Sequence, residues 1–326
     1  MTKRTWPATA AAGVVAAALA IPAAAQEQMT IVGSTEGGTM YRLGAIISET
    51  FNGAQDDTRL NLVVGGGAAN PARVGGGKGD LGFSFSNFAV SAYNGKEPFK
   101  EEFKSLRHVA AFWQSCYHQY IAKELYESGI KSWDDLVSSA EPLSIGAGPP
   151  GTSTDAINRL LLAAYDTSFE DLTEKGYKFT YTGMSATSEQ MRSGQVDIYF
   201  HNSGDPNAAG IEAALGRDLT FMDPSETLKT TMADAGFGAC VIPGGIYENI
   251  DEDHPSMGAR GVLMAHEDTD PEVVYALLNV IADNIDTLGN THSIFKGWTP
   301  EYGAADYGLP FHPGAEKFYK EKGVLN

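Results

Sequence analysis

Four times along this 326-residue chain, an apolar run of strand length ends in a cluster of glycine and hydroxyl residues that opens a helix-patterned segment. MTIVG (Met29–Gly33) leads into STEGGT and a helix from about Thr39; LGFSFS leads into a helix from about Asn87. LSIGA leads into GPPGTSTD and INRLLLAAY, and VDIYFHN leads into SGDPN and NAAGIEAAL. Such alternation predicts an α/β layered fold. The hydroxyl clusters then fall at the carboxyl ends of strands, where open α/β sheets bind ligands.

The third cluster is the most anion-like of the four. A strand, a glycine-rich turn and a helix with hydroxyls in its first turn point free backbone N–H groups at an anion. A nucleotide phosphate loop needs a lysine before its Ser/Thr, and here Ser153 precedes Thr154, so a smaller or less charged anion fits better. Read structurally, the same residues are a turn at Gly148–Gly151 with Thr154 as a helix cap.

The remaining alternation includes LNLVVG, YKFTYT and LTFM as strands and SWDDLV, SATSEQMRS and TLKTTMADA as helices. LRHVAAFW and CYHQYIA read as two closely spaced strands, FGACVIPGG as a later one, and VVYALLNVIADNIDTL as one long helix. No fixed-period repeat or low-complexity linker divides the chain.

The first 25 residues have a basic start at Lys3 and Arg4, an alanine-rich run and Ala23-Ala24-Ala25, which predicts an export signal cut before Gln26. Cleavage there leaves 301 residues, and loss of Lys3 and Arg4 takes the formal charge from −18 to −20. That length allows two lobes of about 150 residues. So acidic a protein is not expected to bind nucleic acid or an anionic membrane surface. Only Cys116 and Cys240 are present, enough for one disulfide in an oxidising compartment or for two buried thiols.

No catalytic constellation stands out. HEDTD at His266–Asp270 lacks the second histidine of a zinc helix, and the seven histidines have no ligand spacing. GMSAT around Ser185 and GTSTD both lack the closing glycine of a nucleophile elbow, which leaves Ser185 as a helix cap; GGGKGD around Lys78 lacks the Ser/Thr of a phosphate loop. Neither metal nor cofactor is expected, and a binding protein fits better than an enzyme.

GSTEGGTMYRLG, GDLGFSFSNFA, GIKSWDDL, IGAGPPGTST, SGQVDIYFHNSGDP, CVIPGGIYENID, VVYALL and LPFHPGAEKFYKEKG, in that order, resemble the TAXI-type substrate-binding proteins of tripartite ATP-independent periplasmic (TRAP) transporters. The resemblance covers nearly all of the chain after residue 25. It implies a type II-like, two-lobed α/β periplasmic binding protein without enzyme activity, a monomer that hands a small organic anion or amino acid to a sodium-driven TRAP membrane permease. Ligands in the family are glutamate-like amino acids and dicarboxylates such as 2-oxoglutarate.

The family's pocket segments carry over onto Ser34, Gly38, Thr39, Met40 and Tyr41 in the first loop and onto Ser86 and Asn87 in the second. They carry over onto Gly151, Thr152, Ser153 and Thr154 in the third, and onto His201, Asn202 and Gly204 in the fourth. Met40 stands where the family more often has an aromatic, and Asn87 where it more often has an acid. The second departure favours a dicarboxylate over glutamate, because an acid there suits a ligand amine. Glu36 or Asp205 restores that charge only if it faces inward.

Lobe one is expected over 26–116 plus 245–326 and lobe two over 117–244, with CYHQYIA and FGACVIPGG side by side as the hinge and Cys116 near Cys240. A ligand-presenting receptor for a membrane sensor kinase uses the same fold, and an exported enzyme is the third reading.

Overall fold

The computed structural model describes residues 1–3 and 26–326. The export signal expected over residues 1–25 therefore lies, apart from its first three residues, outside the described residues. Among the described residues, twelve strands form two five-stranded sheets and one ribbon. Sheet one has the order β2 (Thr58–Val63), β1 (Glu27–Val32), β3 (Leu81–Phe85), β12 (Arg260–His266), β4 (Leu106–Gln114). Sheet two has the order β7 (Lys178–Thr180), β6 (Ser144–Gly146), β8 (Ile198–Ser203), β5 (Cys116–Ala122), β9 (Leu219–Phe221). The ribbon pairs β10 (Gly238–Ile242) with β11 (His254–Gly258).

The inner strands of these sheets are buried on both faces, as strands between helix layers are. Every residue of LGFSF and of CYHQYIA is buried. The helices begin where the sequence supplies caps. Ser132 and Asp135 form a reciprocal capping box before the helix Trp133–Ser138, and Ser225 accepts from the Leu228 N–H before Glu226–Asp234. The expected long helix near the C-terminus is two helices, Pro271–Asp283 and Ile285–Thr291. They divide at Asn284, whose side-chain amide donates to the Val280 carbonyl at 2.8 Å and competes there with the backbone pattern.

The chain leaves sheet one at one residue and re-enters it at another. β4 runs parallel to β3 within sheet one, passes Ser115 and continues as β5, which lies antiparallel to β8 in sheet two. The return is at Ala259, between β11 and β12. The two crossings are bonded together: the Ser115 N–H and hydroxyl both donate to the Ala259 carbonyl, at 2.9 and 2.7 Å. A Cβ on the neighbouring Gly258 would fall 1.7 Å from the Ser115 carbonyl oxygen, so only glycine permits this approach.

These crossings correct the expected hinge. CYHQYIA is an interior strand of sheet two, and FGACVIPGG pairs with β11 rather than with it. The partner missed in the sequence is SMGARGVLMAH, which supplies the end of β11 and all of β12. Its glycine and arginine interrupt the apolar pattern at the point where the chain passes from the ribbon into sheet one. Cys116 and Cys240 are bonded as a disulfide with Cα atoms 6.1 Å apart. The Ser256 hydroxyl adds a 2.6 Å bond to the Tyr117 carbonyl, so the ribbon is tethered to β5 at two points.

His108 is buried on β4, where Nε2 bonds the Gly303 carbonyl at 2.8 Å and the ring packs on Tyr307 and Phe311. Desolvation holds its pKa at about 4, outweighing that bond and the charge of Asp306. An unfolded histidine titrates near 6.5, so the unfolded chain binds a proton that the folded chain refuses. The stability this site contributes is complete above about pH 6.5 and falls as pH drops towards about 4. Urea unfolding is expected to show a loss of about 2 kcal/mol at about pH 5 relative to neutrality from this residue, reduced in His108→Gln. Equal midpoints at the two pH values would contradict the burial.

Candidate functional site

Three helices start at the carboxyl ends of parallel strands and aim at one small space between the sheets. Thr39–Ala54 follows β1 in sheet one, whereas Ser153–Ala164 follows β6 and Met184–Arg192 follows β7 in sheet two. The caps differ in a way that matters for a ligand. Gly38 and Gly183 are N-caps without a side-chain bond, and the Ser34 hydroxyl accepts from the Tyr41 N–H at 3.2 Å. Thr152 rather than Thr154 caps the second helix, accepting from the Asp155 N–H at 3.2 Å while donating to the Pro149 carbonyl at 2.7 Å. Gly148 and Gly151, with φ of 76° and 83°, take the left-handed turns that bring this loop round. The remaining first-turn N–H groups have no intrahelical acceptor.

The space these helix starts enclose is a cavity of about 40 Å³. Ser34, Thr39 and Met40 line it from sheet one, and Thr152, Ser153, Thr154, His201 and Asn202 from sheet two. No lysine, arginine, aspartate or glutamate is among the described residues that line it. His201 and Asn202 belong to β8 itself rather than to the loop after it, and both are buried. His201 Nε2, both side-chain polar atoms of Asn202 and Trp113 Nε1 are buried without a hydrogen-bond partner. Unpaired buried polar atoms cost about 1–3 kcal/mol each, and a polar solute is the natural way to satisfy them. Burial, reinforced by His118, pushes the His201 imidazole well below its ordinary pKa, so it is neutral.

The other expected residues lie elsewhere. Gly38 sits behind the wall, where a Cβ would fall 2.3 Å from Ser34 Oγ and 2.8 Å from Met184 Sδ, and Tyr41 is half-buried outside the lining. Gly204 packs against Trp113 and Ile294. Ser86, Asn87 and Gly151 line a second, larger gap between the lobes, of about 1370 Å³. Phe85, the last residue of β3, lines the first cavity, whereas Ser86 and Asn87 open the helix Ser86–Tyr93 and line the second gap. Glu36 is exposed and lines neither gap, and Asp205 is taken up by His118 Nε2 at 2.7 Å, with Tyr247 beyond.

Sequence reasoning missed the aromatic half of the wall. Phe85, Trp113, Tyr199 and Phe200 line the cavity from strands whose apolar pattern is indistinguishable from core. Thr182 and Met184 were more accessible, since YTGMSAT repeats the strand, glycine and hydroxyl pattern of the other loops.

The lobes touch around this cavity. The Ala69 N–H donates to the Gly151 carbonyl at 3.0 Å, and Asn87 Nδ2 donates to the Ala235 carbonyl at 3.4 Å. Two α/β lobes closed over a small, donor-rich cavity define the solute-binding class of receptor. The chain belongs to the NMT1-like family, whose model matches residues 31–323, in agreement with the TAXI-type resemblance of its motifs.

Among solved structures, the chain is similar to MatC (Rpa3494) from Rhodopseudomonas palustris with bound malate, at 14% identity and a TM-score of 0.54, covering 92% of this chain and 99% of that one. It is also similar to the periplasmic aliphatic sulphonate binding protein SsuA from Escherichia coli, at 13% identity and a TM-score of 0.42, covering 90% and 83%. The first likeness supports the fold.

Closure itself can be tested at Gly66. A Cβ there would fall 2.4 Å from the Gly151 carbonyl oxygen and 3.1 Å from the Thr152 N, and backbone cannot swing aside as a side chain can. Gly66→Ala is expected to hold the lobes apart, raising the radius of gyration measured by small-angle scattering while leaving each lobe folded. An unchanged scattering profile counts against a closed resting form.

Proposed function

We propose that this protein is a periplasmic receptor that captures a small dicarboxylate and delivers it to a TRAP-type membrane permease. The observation that carries the reading is the convergence of three helix N-termini on a cavity whose lining has hydroxyls and unpaired polar atoms but no formal charge. Each helix start acts as roughly half a positive charge, and its free N–H groups bind carboxylate oxygens. On this reading the lobes are 26–114 with 260–326, and 116–258, hinged at Ser115 and Ala259.

A dicarboxylate fits better than glutamate. An ammonium group needs an acceptor, preferably charged, and neither Glu36 nor Asp205 reaches the cavity. Asn202 and the threonine hydroxyls instead suit carboxylate, keto or hydroxyl oxygens. The structural relative MatC, solved with malate, holds an acid of this class.

A thermal-shift screen of the ligand-stripped protein tests the solute class. Succinate, L-malate or 2-oxoglutarate at 100 times its dissociation constant is expected to stabilise the protein by about 2.7 kcal/mol, with glutamate weaker. Glutamate alone shifting the melt reverses the preference, and silence from every anion removes the carboxylate reading. Charge-assisted hydrogen bonds are worth about 1.5–3 kcal/mol each, so Ser153→Ala combined with Thr154→Ala is expected to weaken binding at least about tenfold. A change within a factor of about two would remove these hydroxyls from the ligand's contacts.

A further inference from the structure

His201 is the one imidazole among the described residues of the cavity wall, and its surroundings leave it without a partner. It pairs across the strands with His118 of β5, the ring centroids 6.1 Å apart, and its own side chain is 1% exposed with Nε2 unbonded. Tyr199, the other titratable group of the lining, is on the same strand and is held protonated by burial.

The elements packed against β8 bring few charges, and all of them are engaged with one another. β5 carries Tyr117, bonded to Asn158, Tyr120, bonded to Asn207, and His118, bonded to Asp205 and Tyr247. β6 carries no titratable residue. Asp155 and Arg159 of the helix Ser153–Ala164 pair at 3.0 Å, and Glu189 and Arg192 of the helix Met184–Arg192 pair at 2.6 Å. None of these lines the cavity.

The charge arithmetic of the occupied cavity is then unbalanced. Three helix starts at roughly half a positive charge each supply about +1.5, while a fully ionised dicarboxylate brings two negative charges. Leaving the difference buried and uncompensated is costly. We infer that the receptor takes up one proton from solvent together with each dicarboxylate, and that this proton is held on His201 as an imidazolium facing the ligand. The only bond formed is N–H, with no other reactant. An opposite charge in contact raises the pKa of an imidazole by about 1–3 units, in the direction that reverses the effect of burial in the empty cavity. The neutral empty state and the charged filled state therefore follow from one geometry. Affinity tightens as pH falls, by up to about tenfold per unit between the two pKa values.

This inference rests on the dicarboxylate reading, and calorimetry separates the two. Succinate and 2-oxoglutarate are titrated into the full protein between about pH 6.5 and about pH 8, where ordinary carboxyls are ionised, in phosphate and in Tris buffer. Net proton uptake per bound acid that grows as pH is lowered is expected, read from the dependence of the heat on buffer ionisation, with the dissociation constant falling towards lower pH. Binding with the same heat in both buffers and a constant affinity overturns the inference but leaves the solute class intact. Absence of binding by any acid overturns both.

In His201→Asn the acid is expected to bind more weakly and without proton uptake, and uptake that persists there overturns the assignment. Should that variant not fold, 15N-histidine spectra of the unaltered protein decide it. One imidazole is expected to become charged on adding succinate, and assignment of that signal to His118 or His254 refutes the site.

Discussion

The paired crossings at Ser115 and Ala259 set the geometry on which everything else depends. β4 leaves sheet one at its carboxyl edge, and the same line of chain becomes β5, which runs antiparallel to β6 and β8. The carboxyl edges of the two sheets must therefore face each other. Helix N-termini follow strand carboxyl ends, so two sets of them confront one another across the gap without any contact between them being required. The two bonds from Ser115 to the Ala259 carbonyl and the close approach of Gly258 make the crossings one unit, while the Cys116–Cys240 disulfide and Ser256 hold the ribbon to β5.

The formal charge of −18 works at long range against the anionic solute proposed here. The cavity resolves this locally. Fixed dipoles and hydroxyls need no counter-ion when the site is empty, unlike an arginine, which would be buried uncompensated in a closed empty cavity. Their partial charges act over short distances once water is excluded, where the field of distant surface carboxylates is screened. Such a site holds its solute firmly when the lobes close and weakly when they open, which suits capture and release better than a permanent ion pair.

The sequence by itself determined the α/β class, the loops that carry hydroxyls and the strands that present them. These are local properties: apolar periodicity, glycine where φ is positive, and a hydroxyl where a helix begins. Ser34, Thr39, Met40 and Thr152–Thr154 were legible for that reason, and all line the cavity.

Only the tertiary structure decided which lobe each strand joins and which residues share the cavity. SMGARGVLMAH passes from the ribbon into sheet one in the middle of its apolar run, and FGACVIPGG, expected beside CYHQYIA, pairs with β11 instead. Phe85, Trp113, Tyr199 and Phe200 look like core in the sequence, because burial against a solute and burial against a helix require the same side chains. Ser86 and Asn87 fall outside the cavity, because they open the helix Ser86–Tyr93 and line the other gap. The direction of Asp205 was fixed by His118, a residue 87 positions away in sequence and beside it only after sheet two has formed. Pairing across strands and between lobes is long-range, and no local pattern records it.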